Sequence, residues 1–397
     1  MRINRTSLKK GMSEETENVK TIDKFEDMGI EEKVLRGVFG VGFETPSEIQ
    51  KRAIKPIIDG NDVLAQAPSG TGKTGAFTIG SLCRIDVSNP NTQVLIMAPT
   101  RELATQIESV ARGIGQYANI TFASATGGNP VRDDVSALQR GAQFVIGTPG
   151  RVFDLMDRKA LKRDHIKVLI LDEADQMLEG RFREQMDCIM NQGFPEFTKV
   201  ALFSATMPDE VITVANKLLV NPIRILLPPE KVTLEGIRQY FVELPRDEWK
   251  FDCLCDLYTH ININQAIIYC NERRKVEWLA KRLQENKFEV GYIHGEMEQK
   301  ERKETVRLFR SGAVRVLVSS DLLARGIDVQ QVSLVINFEL PPQRENYIHR
   351  IGRSGRFGRK GVAINLVTPD EKSDLADIEK HYATTVTPLP NSIADLL

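Results

Sequence analysis

A stretch of small residues, Ala67-Pro68-Ser69-Gly70-Thr71-Gly72-Lys73-Thr74, ends on a lysine and a hydroxyl. An apolar run, Val63-Leu64-Ala65, precedes it, and residues 75–85 suit a helix. Strand, small-residue loop and helix is the context in which successive backbone N–H groups turn inward and cradle phosphates. In that setting Ser69, Gly70, Thr71 and Gly72 shape the cradle. Lys73 reaches the β- and γ-phosphates, and Thr74 offers its hydroxyl to Mg2+. The strict pattern G-x-x-x-x-G-K-[ST] is missed at its first position, which is Ala67. Gly70, Gly72 and Gly75 also satisfy G-x-G-x-x-G, but no acidic residue ends a following strand at the spacing a dinucleotide ribose needs. A glycine-rich turn with an unrelated lysine is the plain alternative.

About a hundred residues on, Asp172-Glu173-Ala174-Asp175 follows the apolar run Val168-Leu169-Ile170-Leu171. Ligands of α/β sheets bind at the carboxyl ends of strands, so these acids are placed to meet a phosphate-bound Mg2+. Asp172 suits coordination of that ion largely through water, and Glu173 suits orienting or deprotonating an attacking water. A solvent-facing acidic turn is the commoner meaning of such a stretch, and the upstream phosphate loop reverses that weighting. Near the other end of the chain, His349-Arg350-Ile351-Gly352-Arg353-Ser354-Gly355-Arg356 carries three arginines. Arg353 and Arg356 are spaced i,i+3, which on a helical turn puts both on one face, able to point together at a γ-phosphate. A solvated basic helix end has the same letters.

These groups need strands that end where they begin. Short apolar runs at 62–65, 94–98, 121–125, 144–147, 168–171 and 199–203 alternate with helical stretches. Runs that are apolar on both sides fit a parallel sheet covered by helices, and the alternation fits βαβ units. The pattern breaks around 221–235, where Pro222, Pro228 and Pro229 cluster. It then restarts, with candidate strands at 266–269, 290–294, 314–319, 334–338 and 361–366. The expected fold is α/β, with two domains, each a mostly parallel sheet with helices on both faces, joined by a short linker. A helical pattern covers 25–43, and Pro46-Ser47 reads as a helix start.

Composition bounds the rest. The 397 residues suffice for two domains with their own cores, and a hydrophobic content of 41% against 27% charged fits a globular protein. No run of 18 apolar residues exists, so no membrane-spanning helix is expected. Five cysteines without a C-x-x-C pair suggest reduced thiols and a cytosolic or nuclear compartment. The net charge is −1, whereas proteins that coat nucleic acid are usually basic. Any RNA binding must use a local cleft and be tightened by something else.

In order and combination, these motifs resemble those of the DEAD-box RNA helicases, over roughly residues 23–397. The resemblance implies two RecA-like domains, with ATP and Mg2+ as cofactors and RNA bound without sequence specificity. It implies a disordered tail at 1–21, an ATP-binding domain at 22–225, a linker at 226–236 and a C-terminal helicase domain at 237–397. Phe25, Thr45 and Gln50 match the family's adenine-reading motif: Gln50 for the adenine edge, Phe25 for stacking on the ring. Thr100, Arg101, Gly127, Gly128, Thr148 and Arg151 match the first domain's RNA contacts, and Arg302, Ser320 and Arg325 those of the second. Ser204, Thr206 and His349 match residues that couple the ATP and RNA sites. Asp328 matches a ribose contact, and Arg353 and Arg356 match arginine fingers. With Lys73, Asp172 and Glu173 they form the implied catalytic set.

The chain departs from the family's usual letters at Pro68, Gln176, Glu272 and Ser320, none of which removes a phosphate ligand or a finger. Within the family, residues 321–332 resemble the translation-initiation branch, with Leu322-Leu323 where the exon-junction and nucleolar paralogues more often carry Val-Trp. That branch implies a cytoplasmic protein, monomeric alone, helped by a scaffold. The paralogues imply a nuclear or nucleolar ATP-gated clamp. A GTPase would need a guanine-reading N-K-x-D, and Asn286-Lys287-Phe288-Glu289 does not supply it.

Overall fold

The computed structural model describes residues 19–68, 70–178, 182–227, 237–260, 265–321, 332–354 and 361–390. The chain divides into two compact units, Met1–Pro228 and Pro229–Leu397. In the first, seven strands form one sheet: β1 (Val63–Gln66), β2 (Val94–Met97), β3 (Phe122–Ala125), β4 (Phe144–Gly147), β5 (Val168–Asp172), β6 (Lys199–Ser204) and β7 (Ile223–Leu226). Their order across the sheet is β3-β4-β2-β5-β6-β1-β7, and every pairing is parallel. Successive side chains on a strand face opposite ways. Ile170 therefore joins one core with Phe77, Ile96 and Phe203, while Leu169 and Leu171 join the other with Leu95, Val145 and Leu202. That two-sided burial is why these strands read as unbroken apolar runs.

The second unit repeats the plan with β8 (Ile237–Glu243), β9 (Ala266–Tyr269), β10 (Val290–Ile293), β11 (Val316–Ser319), β12 (Leu334–Asn337), β13 (Gly361–Val367) and β14 (Thr387–Pro388). The order is β10-β11-β9-β12-β13-β8-β14, again parallel throughout. Ile268, Val318 and Ile336 fill one face, and Ile267, Leu317 and Val335 the other. Both units are RecA-like: parallel sheets between helices. Among the described residues no helix is long and apolar enough to cross a membrane.

Three local expectations need correction. The helical pattern at 25–43 is two pieces, a 3-10 turn Phe25–Met28 and a helix Glu32–Gly40, because Gly29 between them is left-handed at φ 75°. The break at 221–235 contains a strand, β7, which pairs with β1, and the buried Asp62 at the head of β1 anchors the chain on either side of its start. Asp62 accepts from the Val200 amide (3.0 Å) and the Val220 amide (2.6 Å), and its carbonyl accepts from Ile223 (2.8 Å). The helix carrying the arginine-rich segment, Arg344–Ile351, stops before Arg353. The i,i+3 argument for Arg353 and Arg356 thus loses its helix, and Arg356 lies outside the described residues.

Candidate active site

The strand order sorts the chemistry of the first unit into two halves of one sheet edge. At the carboxyl ends of β5, β6 and β1, which are neighbours, stand the acids at 172–175, Ser204-Ala205-Thr206 and the phosphate loop. At the ends of β3, β4 and β2, also neighbours, stand Gly127-Gly128, Thr148-Pro149-Gly150-Arg151 and Thr100-Arg101.

In the first half the loop turns through left-handed glycines, Gly70 at φ 80° and Gly72 at φ 95°, a conformation glycine adopts without a Cβ penalty. Thr71 donates its hydroxyl to the Pro68 carbonyl (2.7 Å). Gly72 caps the helix Lys73–Leu82, so Lys73 and Thr74 occupy its first turn, where N–H groups lack intrahelical partners. Lys73 Nζ donates to the carbonyls of Ala67 (2.6 Å) and Pro68 (3.3 Å), folding the lysine back over its own loop. Ser69 lies outside the described residues.

Asp172 ends β5 fully enclosed, and burial pushes its carboxyl up to about 7 against the pull of Lys73. Its Oδ1 accepts from the Glu173 amide (3.0 Å). Glu173 holds a left-handed backbone at φ 53°, and its Oε2 is buried without a hydrogen-bond partner among the described residues. A buried carboxylate held near neutrality and an unsatisfied acid oxygen beside it fit a site completed by a cation and ordered water. Among the described residues no three His, Cys, Asp or Glu side chains converge as a metal cage. A divalent ion here would take few direct protein ligands, Thr74 and Asp172 being the ones the donor set offers.

Thr206 donates its hydroxyl to Asp175 Oδ2 (2.8 Å), and its amide donates to Ser204 Oγ (3.3 Å). The Ala67 amide donates to the Ser204 carbonyl (3.0 Å). The acid turn, the hydroxyl motif and the phosphate loop are therefore one hydrogen-bonded structure across three strand ends.

The adenine-reading expectation divides. Gln50 caps its own helix, Glu48–Ile58, by accepting from the Ser47 amide (2.9 Å), and its Nε2 donates to the Gly72 carbonyl (3.2 Å). It latches that helix to the phosphate loop. Phe25 is fully buried in the core, edge-on to Phe39 at 6.4 Å between centroids, and presents no ring face. The aromatic at the loop is instead Phe43, which sequence reading missed. A Cβ on Gly75 would lie 2.8 Å from its ring and 2.6 Å from Gln50 Nε2. The signal was its place in Gly42-Phe43-Glu44-Thr45, directly ahead of the motif.

In the other half, Thr100 caps the helix Arg101–Ile114 by accepting from the Leu103 amide (3.3 Å). The Arg101 guanidinium lies over Gly127, whose added Cβ would meet it at 2.9 Å. Arg151 pairs with Asp134 and donates to the Asn129 carbonyl (2.8 Å). Arg151 thus ties the loop after β4 to the loop after its neighbour β3, while Arg101 reaches from the end of β2 to the loop after β3, two strands away.

In the second unit Ser320 follows β11 with its Oγ buried and unpartnered among the described residues. Arg302 and His349 are buried, and Arg353 Nε donates to the His349 carbonyl (3.4 Å). Arg325, Asp328 and Arg356 lie outside the described residues. The residue that organises this edge is one that sequence reading passed over, Arg350. It is fully buried, grips Asp321 through two hydrogen bonds (2.5 and 2.8 Å), and reaches Asn271 Oδ1 (2.7 Å) and the Glu339 carbonyl (2.6 Å).

A parallel sheet with a phosphate loop after one strand and an acid pair two strands away defines a P-loop nucleoside triphosphatase. Residues 47–214 match the DEAD/DEAH box helicase family, and residues 249–358 match the helicase conserved C-terminal domain. The chain is 54% identical over 376 residues to eukaryotic initiation factor 4A of Caenorhabditis elegans, covering 95% of this chain and 93% of that one. It is 54% identical to ATP-dependent RNA helicase eIF4A of Lodderomyces elongisporus, covering 94% of each. Among solved structures it is similar to S. cerevisiae Dbp5 bound to RNA and ADP BeF3, with TM-score 0.87, 34% identity, and 92% and 95% of the two chains covered. The chain belongs to the DEAD-box family of ATP-dependent RNA helicases.

Proposed function

We propose that this helicase melts short RNA duplexes in the 5′ region of mRNA during translation initiation. The observation that carries the reading is the division of the first sheet's edge into a phosphate half and an arginine-and-hydroxyl half. Identity to relatives named initiation factor 4A supports the process and weighs against an exon-junction or ribosomal-RNA-processing paralogue.

In this reading the cradle at 69–72 and Lys73 hold the ATP phosphates, and Lys73 exchanges its loop carbonyls for them. Thr74 and, largely through water, Asp172 would hold Mg2+, which would supply positive charge against the phosphates. Glu173 orients the attacking water through its unsatisfied oxygen. Gln50, Thr45 and Phe43 read adenine, Asp328 meets the ribose, and Arg353 and Arg356 meet the γ-phosphate. Thr100, Arg101, Gly127, Gly128, Thr148 and Arg151, with Arg302, Ser320 and Arg325, hold RNA through phosphates and sugars, which carry no base sequence. Ser204, Thr206 and His349 couple the two sites.

A chain of net charge −1 has little long-range grip on RNA, so ATP binding must tighten it, and by linkage RNA tightens ATP. Displacing three or four base pairs, at roughly 1.4 kcal/mol per step, costs about 4–6 kcal/mol, which is a local melting task. The protein acts in the cytoplasm, is monomeric alone, and works with a scaffold of the initiation factor 4G type.

The chemistry is tested with Arg356→Ala, which is expected to abolish RNA-stimulated hydrolysis while ATP still binds; normal turnover refutes the finger assignment. The process is tested by acute depletion, an early polysome profile and ribosomal-RNA precursor blots. Rapid polysome collapse with normal precursors is expected. Precursor accumulation with intact polysomes moves the protein to the nucleolar branch.

A further inference from the structure

Arg350 uses every donor it has. A guanidinium carries five N–H groups and no acceptor. Nε donates to Asp321 Oδ1 (2.5 Å), and the two terminal nitrogens reach Asp321 Oδ2 (2.8 Å), Asn271 Oδ1 (2.7 Å), the Glu339 carbonyl (2.6 Å) and Asn337 Oδ1 (3.3 Å). Because arginine only donates, Asn337 must present its oxygen to it and turn its Nδ2 away. That Nδ2 donates to Asn365 Oδ1 (2.8 Å). Asn365 therefore points its own Nδ2 outward, to the Tyr240 carbonyl (2.9 Å) and the Tyr347 hydroxyl (3.2 Å). Tyr347 donates its hydroxyl hydrogen bond to Gln239 Oε1 (2.9 Å), and Gln239 Nε2 donates to Thr384 Oγ1 (2.9 Å).

The result is one directed line of hydrogen bonds across β12, β13 and β8. Tyr347, Arg350, Asn337 and Asn365 are wholly buried, Gln239 nearly so, and Thr384 ends the line near the surface. Burial pushes the Tyr347 hydroxyl pKa well up, so it remains a donor. Such a line in a low-dielectric interior is expensive to leave half-made, which makes its geometry stiff.

Both ends of the grip lie on one helix. Tyr347 and Arg350 are three residues apart on Arg344–Ile351 and so share a face, fastened to the strands beneath at two points. Two points fix the helix's rotation as well as its height. From its end the chain leaves through Gly352 to Arg353.

We propose that Tyr347 is a positioning residue for phosphoryl transfer: with Gln239, Asn365 and Asn337 it sets the rotation of the helix whose end leads directly into Arg353. This deepens the reading above and rests on Arg353 and Arg356 acting at the γ-phosphate. Misplacement by about 1 Å costs catalysis up to about a hundredfold without removing a catalytic group.

The full-length Tyr347→Phe protein removes one hydroxyl and keeps the ring. At a temperature well below its unfolding midpoint, RNA-saturated kcat should fall about tenfold, with KM for ATP and the half-saturating RNA concentration within about twofold of wild type. The Arg350 Nε–H, identified in NMR spectra by its loss in Arg350→Lys, should exchange with solvent faster in Tyr347→Phe. Thr384→Val, at the partly exposed end of the line, should lower kcat about threefold, and Thr384→Ser, which keeps the hydroxyl, should restore it; this pair serves if Tyr347→Phe does not fold. Unchanged kcat and Nε–H exchange in Tyr347→Phe, in a preparation where Arg356→Ala abolishes turnover, overturns the positioning role and leaves the finger assignment standing. Normal turnover in Arg356→Ala overturns the finger assignment itself.

Discussion

Replacing Asp172 by Asn should stabilise the nucleotide-free protein while destroying its activity, and the gain should depend on pH in a defined direction. The carboxyl is fully buried, and burial raises it from 3.8 to about 7, with Lys73 opposing and Glu173 and Asp175 adding to the rise. In the unfolded chain the group ionises near 3.8, so the fold binds the extra proton, and stability falls as pH rises from about 4 to about 7 and then levels. At about 1.4 kcal/mol per pH unit the ceiling on that loss is roughly 4 kcal/mol, of which about 2 kcal/mol falls between pH 5.5 and 8. Asn cannot ionise and keeps an oxygen for the Glu173 amide, so it escapes the loss. For a unit of this size 1 kcal/mol moves the midpoint about 2–4 °C, so the variant should gain about 4–8 °C on wild type between those two pH values. The assay is thermal unfolding at both pH values, with and without Mg2+ and ATP; added Mg2+ and ATP should raise the wild-type midpoint and leave the variant's almost unmoved. Parallel pH dependences of wild type and variant would refute the claim that the fold holds a disfavoured carboxylate for a cation to relieve.

Gly75→Ala should change base selectivity without touching a phosphate ligand. Its Cβ would stand 2.6 Å from Gln50 Nε2 and 2.8 Å from the Phe43 ring, and both must move. The ATP-over-GTP preference, measured by nucleotide competition, should fall about tenfold, although Gly to Ala inside a helix ordinarily gains about 0.8–1.0 kcal/mol; an unchanged preference refutes the assignment of Gln50 and Phe43. Thr206→Val removes the hydrogen bond to Asp175 and nothing bulkier, costing about 1–3 kcal/mol of stability. Base pairs unwound per ATP hydrolysed should drop at least fivefold (about 1 kcal/mol) while RNA-stimulated hydrolysis stays within a few-fold; an unchanged ratio would show that the bond is structural only.

Much of the site is local in sequence. The phosphate loop is eight consecutive residues with a helix behind it, and its glycines announce a backbone that only glycine adopts cheaply. The acid pair directly follows an apolar run, so its place at a strand's carboxyl end could be read before any strand was paired. What was not legible depended on partners far away. The strand β7 was lost among prolines because the strand it pairs with, β1, lies about 160 residues upstream. Phe25 could be read as a stacking ring because its spacing to Gly42 is right, but spacing does not say which aromatic is buried.

The amino-acid sequence by itself determined the class of chemistry: two α/β units, a glycine-rich loop ending on lysine and threonine, an acid pair after an apolar run, and the arginine-rich segment. These follow from residue types at short spacings, where backbone geometry leaves few outcomes. Tertiary structure alone decided which strand ends are neighbours, and hence that phosphate and arginine motifs occupy separate halves of one edge. It alone chose Phe43 over Phe25 at the loop and made Arg350 a hub. The reason is physical: strand order and burial are set by contacts between residues tens to more than a hundred positions apart, and no local pattern encodes them.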